Sequence, residues 1–291
     1  MMPSGQKRKK YTLQLYDRSM HLGTKTHIMG ILNLSPDSFY DGGQFTDLPQ
    51  IVQRAHQMVK EGADIIDIGA ESTRPGSTPV PAEEEIRWLA PVVKQLRKEV
   101  PVPLSIDTYK AQVAKAVLDL GIHIINDISG LHFDSQMATV LACYKAPVIL
   151  MHIQGTPRDM QKNPQYQHLI PEITRYLQKG INKALAAGIS EDQIIIDPGI
   201  GFGKTLAHNL EIIQRLTEFQ SLDKPILLGP SRKSFIGQVL DLPAAERLEG
   251  TAAAVTVGIT TGAHIMRVHD VKAMVRVARM ADAILNPQQN N

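Results

Sequence analysis

Short apolar runs alternate with amphipathic stretches along nearly the whole 291-residue chain. The runs are HIMGILN (27–33), ADIIDIG (63–69), PLSID (103–107), HIIND (123–127), PVILMH (147–152), QIIIDPG (193–199), PILLGPS (225–231) and HIMRVH (264–269). Between them, LPQIVQRAHQMVKEG, AEEEIRWLAPVVKQLRKEV, KAQVAKAVLDLG, PEITRYLQKGINKALAAG and LAHNLEIIQRLTEF carry apolar residues at helical spacing, several closed by the glycine expected just past a helix end. The runs are apolar without alternation, which predicts parallel strands buried on both faces. From Asn33 to His269 they recur about every 34 residues, close to the roughly 30 of one βαβ unit. Eight such units with no composition break predict an α/β fold, a single (β/α)8 TIM barrel. A doubly wound open sheet is the alternative, and it would leave the first and last strands apart. Residues 1–20 are expected as an N-terminal tail and lead-in, 21–285 as the single barrel domain and 286–291 as a polar C-terminal tail.

Seven of the eight runs finish on polar residues: Asn33, Asp107, Asn126 with Asp127, His152, Asp197, Ser231, and Arg267 with His269. One such residue is readily a helix cap, and Asp107 before TYKAQVAKAV fits that role; His152 reads as a satisfied strand-end residue. Seven at one end are not explained by capping. In a barrel they face one another where the βα loops converge, so an active site is expected there. Asp107, Asp197 and Asn126 offer carboxylates and an amide to a flat, amine-rich heterocycle. Arg267, His269 and Lys233 offer positive charge, and with Asn33 as an oxygen ligand they suit a phosphate or diphosphate with Mg2+. No Ser-His-Asp or Cys-His arrangement points to a covalent intermediate on the protein.

The stretch IIIDPGIGFGKT (194–205) looks at first like a phosphate-binding loop. The Walker A pattern fails by one position, because Gly199 and Gly203 have three residues between them where it needs four. The dinucleotide pattern fails at Lys204, where a third glycine is required. Two further segments, NLSPDSFYDGGQF after the first run and GAESTRPGSTPVP after the second, read as lids over the barrel mouth.

Composition narrows the partners. The chain is 43% hydrophobic and 21% charged with a formal net charge of +2, which fits an ordinary globular protein. Apart from KRKK at 7–10, read as a solvated tail, no basic cluster suggests nucleic acid. The single cysteine, Cys143, cannot bridge within the chain, and the N-terminus lacks an apolar signal core, so the expected location is the reducing cytoplasm. GTAAAVTVGITTGA, from residue 250, is too short and too rich in threonine for a membrane span.

NLSPDSFYDGG, ESTRPGS, SIDT, INDISG, MHIQGTPRDMQ, DPGIGFGKT, GPSRKSF and RVHD, in this order and at these intervals, closely resemble the dihydropteroate synthase family over residues 26–272. The resemblance implies condensation of (7,8-dihydropterin-6-yl)methyl diphosphate with 4-aminobenzoate to 7,8-dihydropteroate and diphosphate, a homodimer and a Mg2+ ion. Asp107, Asn126, Asp197 and Lys233 match the family's pterin contacts, Asn33 its magnesium ligand, and Arg267 with His269 its diphosphate anchors. Thr73 and Arg74 fall in the second lid, where the resemblance implies that Thr73 contacts both the pterin diphosphate and the aminobenzoate and Arg74 the aminobenzoate, and Phe39, Pro75, Phe202 and Ser234 match positions lining the aminobenzoate pocket. Departures are small: Ser35 for the usual Thr, Tyr40 for a frequent Ser, and local variation at Asp159 and His264. A pterin-binding methyltransferase module serving a cobalamin partner is the runner-up. It shares the Asp and Asn set but has less need of STRPG, RKSF and RVH. A non-enzymatic pterin carrier is the third reading.

Overall fold

The computed structural model describes residues 8–34 and 48–287. The first element of the described residues is an antiparallel hairpin, β1 (Tyr11–Gln14) and β2 (Ser19–Leu22). All eight apolar runs then become strands of one parallel sheet: β3 (His27–Asn33), β4 (Ile65–Gly69), β5 (Leu104–Asp107), β6 (Ile124–Asp127), β7 (Val148–Met151), β8 (Ile194–Asp197), β9 (Leu227–Leu228) and β10 (Ile265–Val268). β3 pairs with both β4 and β10, so the first and last barrel strands are neighbours. The seam between β8 and β9 is bridged at Ile196 and Ile226, where the Ile196 N–H donates to Pro225 O at 3.0 Å. This closure makes the fold a TIM barrel and excludes the open sheet. β9 is short because Pro225 and Pro230 flank it, and neither has an N–H for the ladder.

Helices α1 (Leu48–Glu61), α2 (Ala82–Glu99), α3 (Ala111–Leu118), α4 (Met137–Tyr144), α5 (Leu169–Ala186), α6 (Leu206–Gln214), α7 (Ser234–Leu240), α8 (Leu248–Thr260) and α9 (Val271–Leu285) surround the sheet. The pattern LAHNLEIIQRLTEF is not one helix: α6 ends at Gln214 and a 3-10 turn takes over at Leu216–Leu222. The helices pack against the outward faces of the strands, where Ile66, Ile68, Ile106, Ile125, Leu150, Ile196, Leu228 and Met266 are fully buried. Among the described residues no helix is long and apolar enough to cross a membrane.

Inside the barrel the period-2 alternation of a strand decides what each residue faces. One inward position on each of seven strands, all but β5, builds an apolar floor: Met29, Ile65, Ile124, Ile149, Ile195, Leu227 and Ile265. Beneath it, Leu13, Leu15 and Leu22 of the hairpin close the bottom. Residues 11–20, expected from the sequence as lead-in, are therefore part of the packed structure. The reason lies in YTLQL, whose alternating Leu13 and Leu15 need a surface to bury, and the open end of the barrel supplies it. The KRKK cluster divides as well. Lys9 and Lys10 are exposed, but the Arg8 guanidinium donates to Thr26 Oγ1 at 2.7 Å and Ala263 O at 3.0 Å and forms an ion pair with Asp282 of α9.

Candidate active site

Two residues above the floor, the same inward faces turn polar. Ile65 leads to Asp67, Ile124 to Asn126, Ile195 to Asp197 and Ile265 to Arg267. Arg267 Nε donates to Asp67 Oδ2 at 2.6 Å and Nη2 to Asp107 Oδ2 at 2.8 Å, while Asn126 Nδ2 donates to Asp67 Oδ2 at 3.1 Å. One guanidinium thus ties β4, β5 and β10 together around the mouth, and Asn126 joins β6 to it through Asp67. Asp67 Oδ1, Ser105 Oγ and Asp107 Oδ1 are buried with no partner among the described residues. Buried acceptors without donors mark where a ligand's N–H groups fit.

The electrostatics follow from burial and this crowding. Burial pushes the Asp107 carboxyl up to about 7, against the pull of Arg267, and the neighbouring Asp67 adds to the rise. Burial raises Asp197 to about 6, although the Gly199 N–H donates to its Oδ1 at 2.7 Å and Lys233 and Arg267 favour its charge. Lys233 is lowered to about 8, first by burial and then by Arg267. Burial also opposes the Arg267 charge, but Asp67 and Asp107 outweigh it and hold the guanidinium protonated. His269 is held at about 4 by burial and then by Arg267, so its imidazole is neutral.

Loops complete the rim. Asn33 ends β3 exposed at the mouth, and a Cβ on Gly69 would lie 3.5 Å from its Oδ1 and 3.6 Å from the Asp107 Cβ, so Asn33 and Asp107 flank one gap. The Lys233 ammonium sits 4.1 Å from the centroid of the Phe202 ring. Lys233 owes its aim to Arg232, whose positive φ of 54° is secured by a two-pronged ion pair with Asp270 at 2.7 Å. The His269 N–H donates to Ser231 Oγ at 3.2 Å, and the same hydroxyl lies 3.0 Å from His269 Nδ1. Beside the charges, Ile128, Met151, Ile153, Met160 and Phe202 form an apolar cluster with Tyr109 packed against it, a surface suited to a flat ring.

The glycines of DPGIGFGKT have a steric cause. Gly199 has φ +73°, and a Cβ there would lie 1.9 Å from His152 O; Gly203 has φ +63° with Gln154 O at 2.5 Å. They let the β8–α6 loop lie directly on the β7–α5 loop and present Asp197 inward.

The sequence-derived candidates fall into three groups. Asp107, Asn126, Asp197, Lys233, Arg267, His269 and Asn33 gather at one mouth, with Phe202 against Lys233. Thr73, Arg74 and Pro75 lie on the loop after β4 at the same end, and Ser234 is exposed at the start of α7, none with a side-chain hydrogen bond to the charged cluster. Phe39, with Ser35 and Tyr40, lies outside the described residues. Asp107 is not a helix cap: the Ala111 N–H at the start of α3 donates to Asp134 Oδ2 at 2.8 Å instead. Asp127 points away from the mouth, accepting from Ser129 N and Oγ and from Leu131 N. His152 is a buried structural residue whose Nδ1 lies 2.8 Å from Lys204 Nζ. The residue missed is Asp67, hidden inside ADIIDIG. Its signal is the inward phase of Ile65, Asp67 and Gly69.

Comparison with known proteins agrees with this geometry. The family model described as pterin binding enzyme matches residues 29–269. A dihydropteroate synthase of Bacillus subtilis is 48% identical over 262 residues, covering 90% of this chain and 90% of that protein. The crystal structure of dihydropteroate synthase from Clostridium difficile in the presence of pteroic acid shares 46% identity at a TM-score of 0.85, covering 90% of this chain and 98% of that one. That of Yersinia pestis with a sulfonamide drug shares 41% at 0.88, covering 95% and 100%. A barrel closed at both seams, with carboxylates, an amide and a guanidinium converging at the C-terminal ends of its strands, belongs to the dihydropteroate synthase family of pterin-binding enzymes.

Proposed function

We propose that this mouth binds (7,8-dihydropterin-6-yl)methyl diphosphate and joins it to 4-aminobenzoate, giving 7,8-dihydropteroate and diphosphate in folate synthesis. The observation that carries the residue assignment is the pair of unpartnered carboxylate oxygens on Asp67 and Asp107, within the network of Asn126 and Arg267 and beside Asp197. An aminopyrimidine edge is a row of donors, and these carboxylates are acceptors in a buried site. Lys233 over Phe202 closes one side of the ring slot. Arg267, His269 and Lys233 take the diphosphate, and Thr73, Arg74, Pro75, Phe202, Ser234 and Phe39 the aminobenzoate end.

In this reading the methylene C–O bond breaks first and its electron pair leaves with the diphosphate. The resulting pterin-methyl cation is delocalised over the ring. The arylamine nitrogen attacks it, forms the C–N bond and then loses a proton. An arylamine is uncharged at neutral pH, so no strong protein base is required. Arg267 holds its charge where negative charge develops, a preorganised contribution of roughly 3 kcal/mol. Asn33 fits Mg2+ through one hard amide oxygen at the rim, and among the described residues no cluster of three or more His, Cys, Asp or Glu competes for the ion. Bound there, Mg2+ would neutralise diphosphate charge.

A homodimer is supported by the exposed apolar side chains of α9, Met280, Ile284 and Leu285, and by Val257, exposed on the neighbouring α8. The single Cys143 keeps the expected site of action in the reducing cytoplasm. The testing experiment is incubation with the pterin diphosphate, 4-aminobenzoate and Mg2+ while following diphosphate release. Release that requires all three is expected, with a sulfonamide competing against the aminobenzoate. Pterin binding without release would favour the methyltransferase module or the carrier.

A further inference from the structure

Glu71 opens the loop between β4 and α2, two residues before Thr73, and no step of the reaction uses it. Its side chain is only 6% exposed. Oε1 accepts from Tyr109 Oη at 2.7 Å. Oε2 accepts from the Val80 N–H, at the far end of the same loop, at 2.9 Å. It also accepts from the Lys110 ammonium, which in turn pairs with Glu85 of α2. Tyr109 and Lys110 follow Asp107 on the β5–α3 loop. One carboxylate therefore joins the two ends of the second lid to the segment that continues from a pocket carboxylate.

Between those ends the lid has few other anchors. The Ser77 N–H donates to Arg74 O at 3.1 Å, closing a turn, and the Gly76 N–H donates to Pro157 O at 3.0 Å, resting the tip on the β7–α5 loop. Thr73 is half-buried, Arg74 and Pro75 are exposed, and the side chains of Thr73 and Arg74 make no hydrogen bond among the described residues. Nothing but the backbone path then decides where these two side chains stand, and Glu71 sets that path. A carboxylate with three donors, one of them charged, is directional as well as strong. A loop fixed in advance loses less freedom when ligand arrives.

We infer that Glu71 is a positioning residue for the aminobenzoate end, acting through Thr73 and Arg74. The inference rests on the assignment of those two residues to that end. A purely structural network of Glu71, Lys110 and Glu85 would act on the whole fold and change the active fraction. A positioning residue acts on one substrate. The test uses the full chain and four variants: Glu71→Gln, Tyr109→Phe, Arg74→Ala and the double variant Glu71→Gln with Arg74→Ala. Each is measured for the aminobenzoate KM, kcat, affinity for the pterin diphosphate and thermal midpoint.

Glu71→Gln is expected to raise the aminobenzoate KM about tenfold, a loss typical of a misplaced ligand contact, with pterin diphosphate affinity unchanged. Tyr109→Phe, which removes one of the three donors, is expected to raise it about threefold. Because part of the effect of Glu71 passes through Arg74, the double variant should raise the aminobenzoate KM by clearly less than the product of the two single effects. Multiplicative effects in the double variant, a parallel loss of pterin affinity, or native KM in Glu71→Gln each overturn the inference. If Glu71→Gln does not fold, Tyr109→Phe alone and combined with Arg74→Ala decides by the same criteria. Should Arg74→Ala leave the aminobenzoate KM unchanged, the subsite assignment falls and the positioning role with it. A raised KM in Arg74→Ala beside a native Glu71→Gln removes the positioning role alone.

Discussion

The floor and the mouth of this barrel are built from the same strands, and often from residues two apart on the same face. Ile195 and Asp197 both point inward from β8, yet one is fully buried among isoleucines and leucines and the other borders the charged network. The floor contributes stability: burying an isoleucine is worth about 1.5–3 kcal/mol. The mouth works against it. Burial raises the Asp197 carboxyl from 3.8 to about 6, so it binds its proton more tightly folded than unfolded. Stability from that group rises as pH falls from about 6 toward 3.8, and above 6 the ionised carboxylate costs about 2–3 kcal/mol. The barrel spends at the mouth what it gains at the floor.

The sharpest way to break this comparison is to exchange the two positions' roles. Asp197→Asn keeps an oxygen for the Gly199 N–H but turns an acceptor for the pterin into a partial donor. Pterin diphosphate affinity should fall about 100-fold or more, a loss of roughly 3 kcal/mol for a charge-assisted bond. At pH 7.5 the thermal midpoint should hold or rise by a few degrees, since the cost of the buried charge is gone. A variant that melts well below the native chain would show Asp197 to be a structural residue. Ile195→Ala should do the reverse, destabilising the fold by about 2–5 kcal/mol with KM and kcat within about twofold at 25 °C. Denaturant unfolding and initial rates on the same two variants decide it.

The same contrast explains what the sequence disclosed. Every barrel strand was legible, because buried parallel strands read as apolar runs, although the runs at 193–199 and 225–231 extend past β8 and the short β9. Asp107, Asn126, Asp197 and Arg267 were legible as polar ends. Asp67 was not, because it lies inside its run at Ile65, Asp67, Gly69, and only closure of the barrel shows that this phase faces the mouth. Asn126 and Asp127 look alike as a polar strand end, although adjacent strand residues cannot share a face; Asp127 serves the Ser129 and Leu131 turn instead. The hairpin was hidden for a physical reason as well. Two four-residue strands have little independent stability and acquire meaning only from the floor they cover.

Acidity sharpens the comparison from a second side. With Asp197 near 6 and Asp107 near 7 in the free protein, both carboxylates accept fully only when ionised. Pterin diphosphate affinity should be highest near pH 7.5, weaken as pH falls through 7 and 6 by up to tenfold per pH unit for each carboxylate, and weaken again above about 8 as Lys233 loses its charge. Titration of binding by fluorescence between pH 5 and pH 8.5 reads this directly, and Asp197→Asn should make the profile shallower. An affinity that is flat across the range would mean that neither carboxylate faces a donor on the ligand.

The smallest effect expected concerns a residue that the mouth uses without contact to substrate. Ser231 Oγ accepts the His269 backbone N–H and faces Nδ1 of its imidazole. Acting as donor to Nδ1, it would fix the tautomer in which Nε2 carries the hydrogen. A neutral imidazole, as burial keeps this one, can then offer that N–H to a diphosphate oxygen. Ser231→Ala removes the tautomer preference and one hydrogen bond worth about 1 kcal/mol. The kcat/KM for the pterin diphosphate should drop about three- to tenfold, with the aminobenzoate KM unchanged. A drop beyond about 100-fold would place Ser231 itself on the substrate. No drop at all would mean that the His269 ring is oriented by its own burial, and the mouth would then resemble the floor more than its charges suggest.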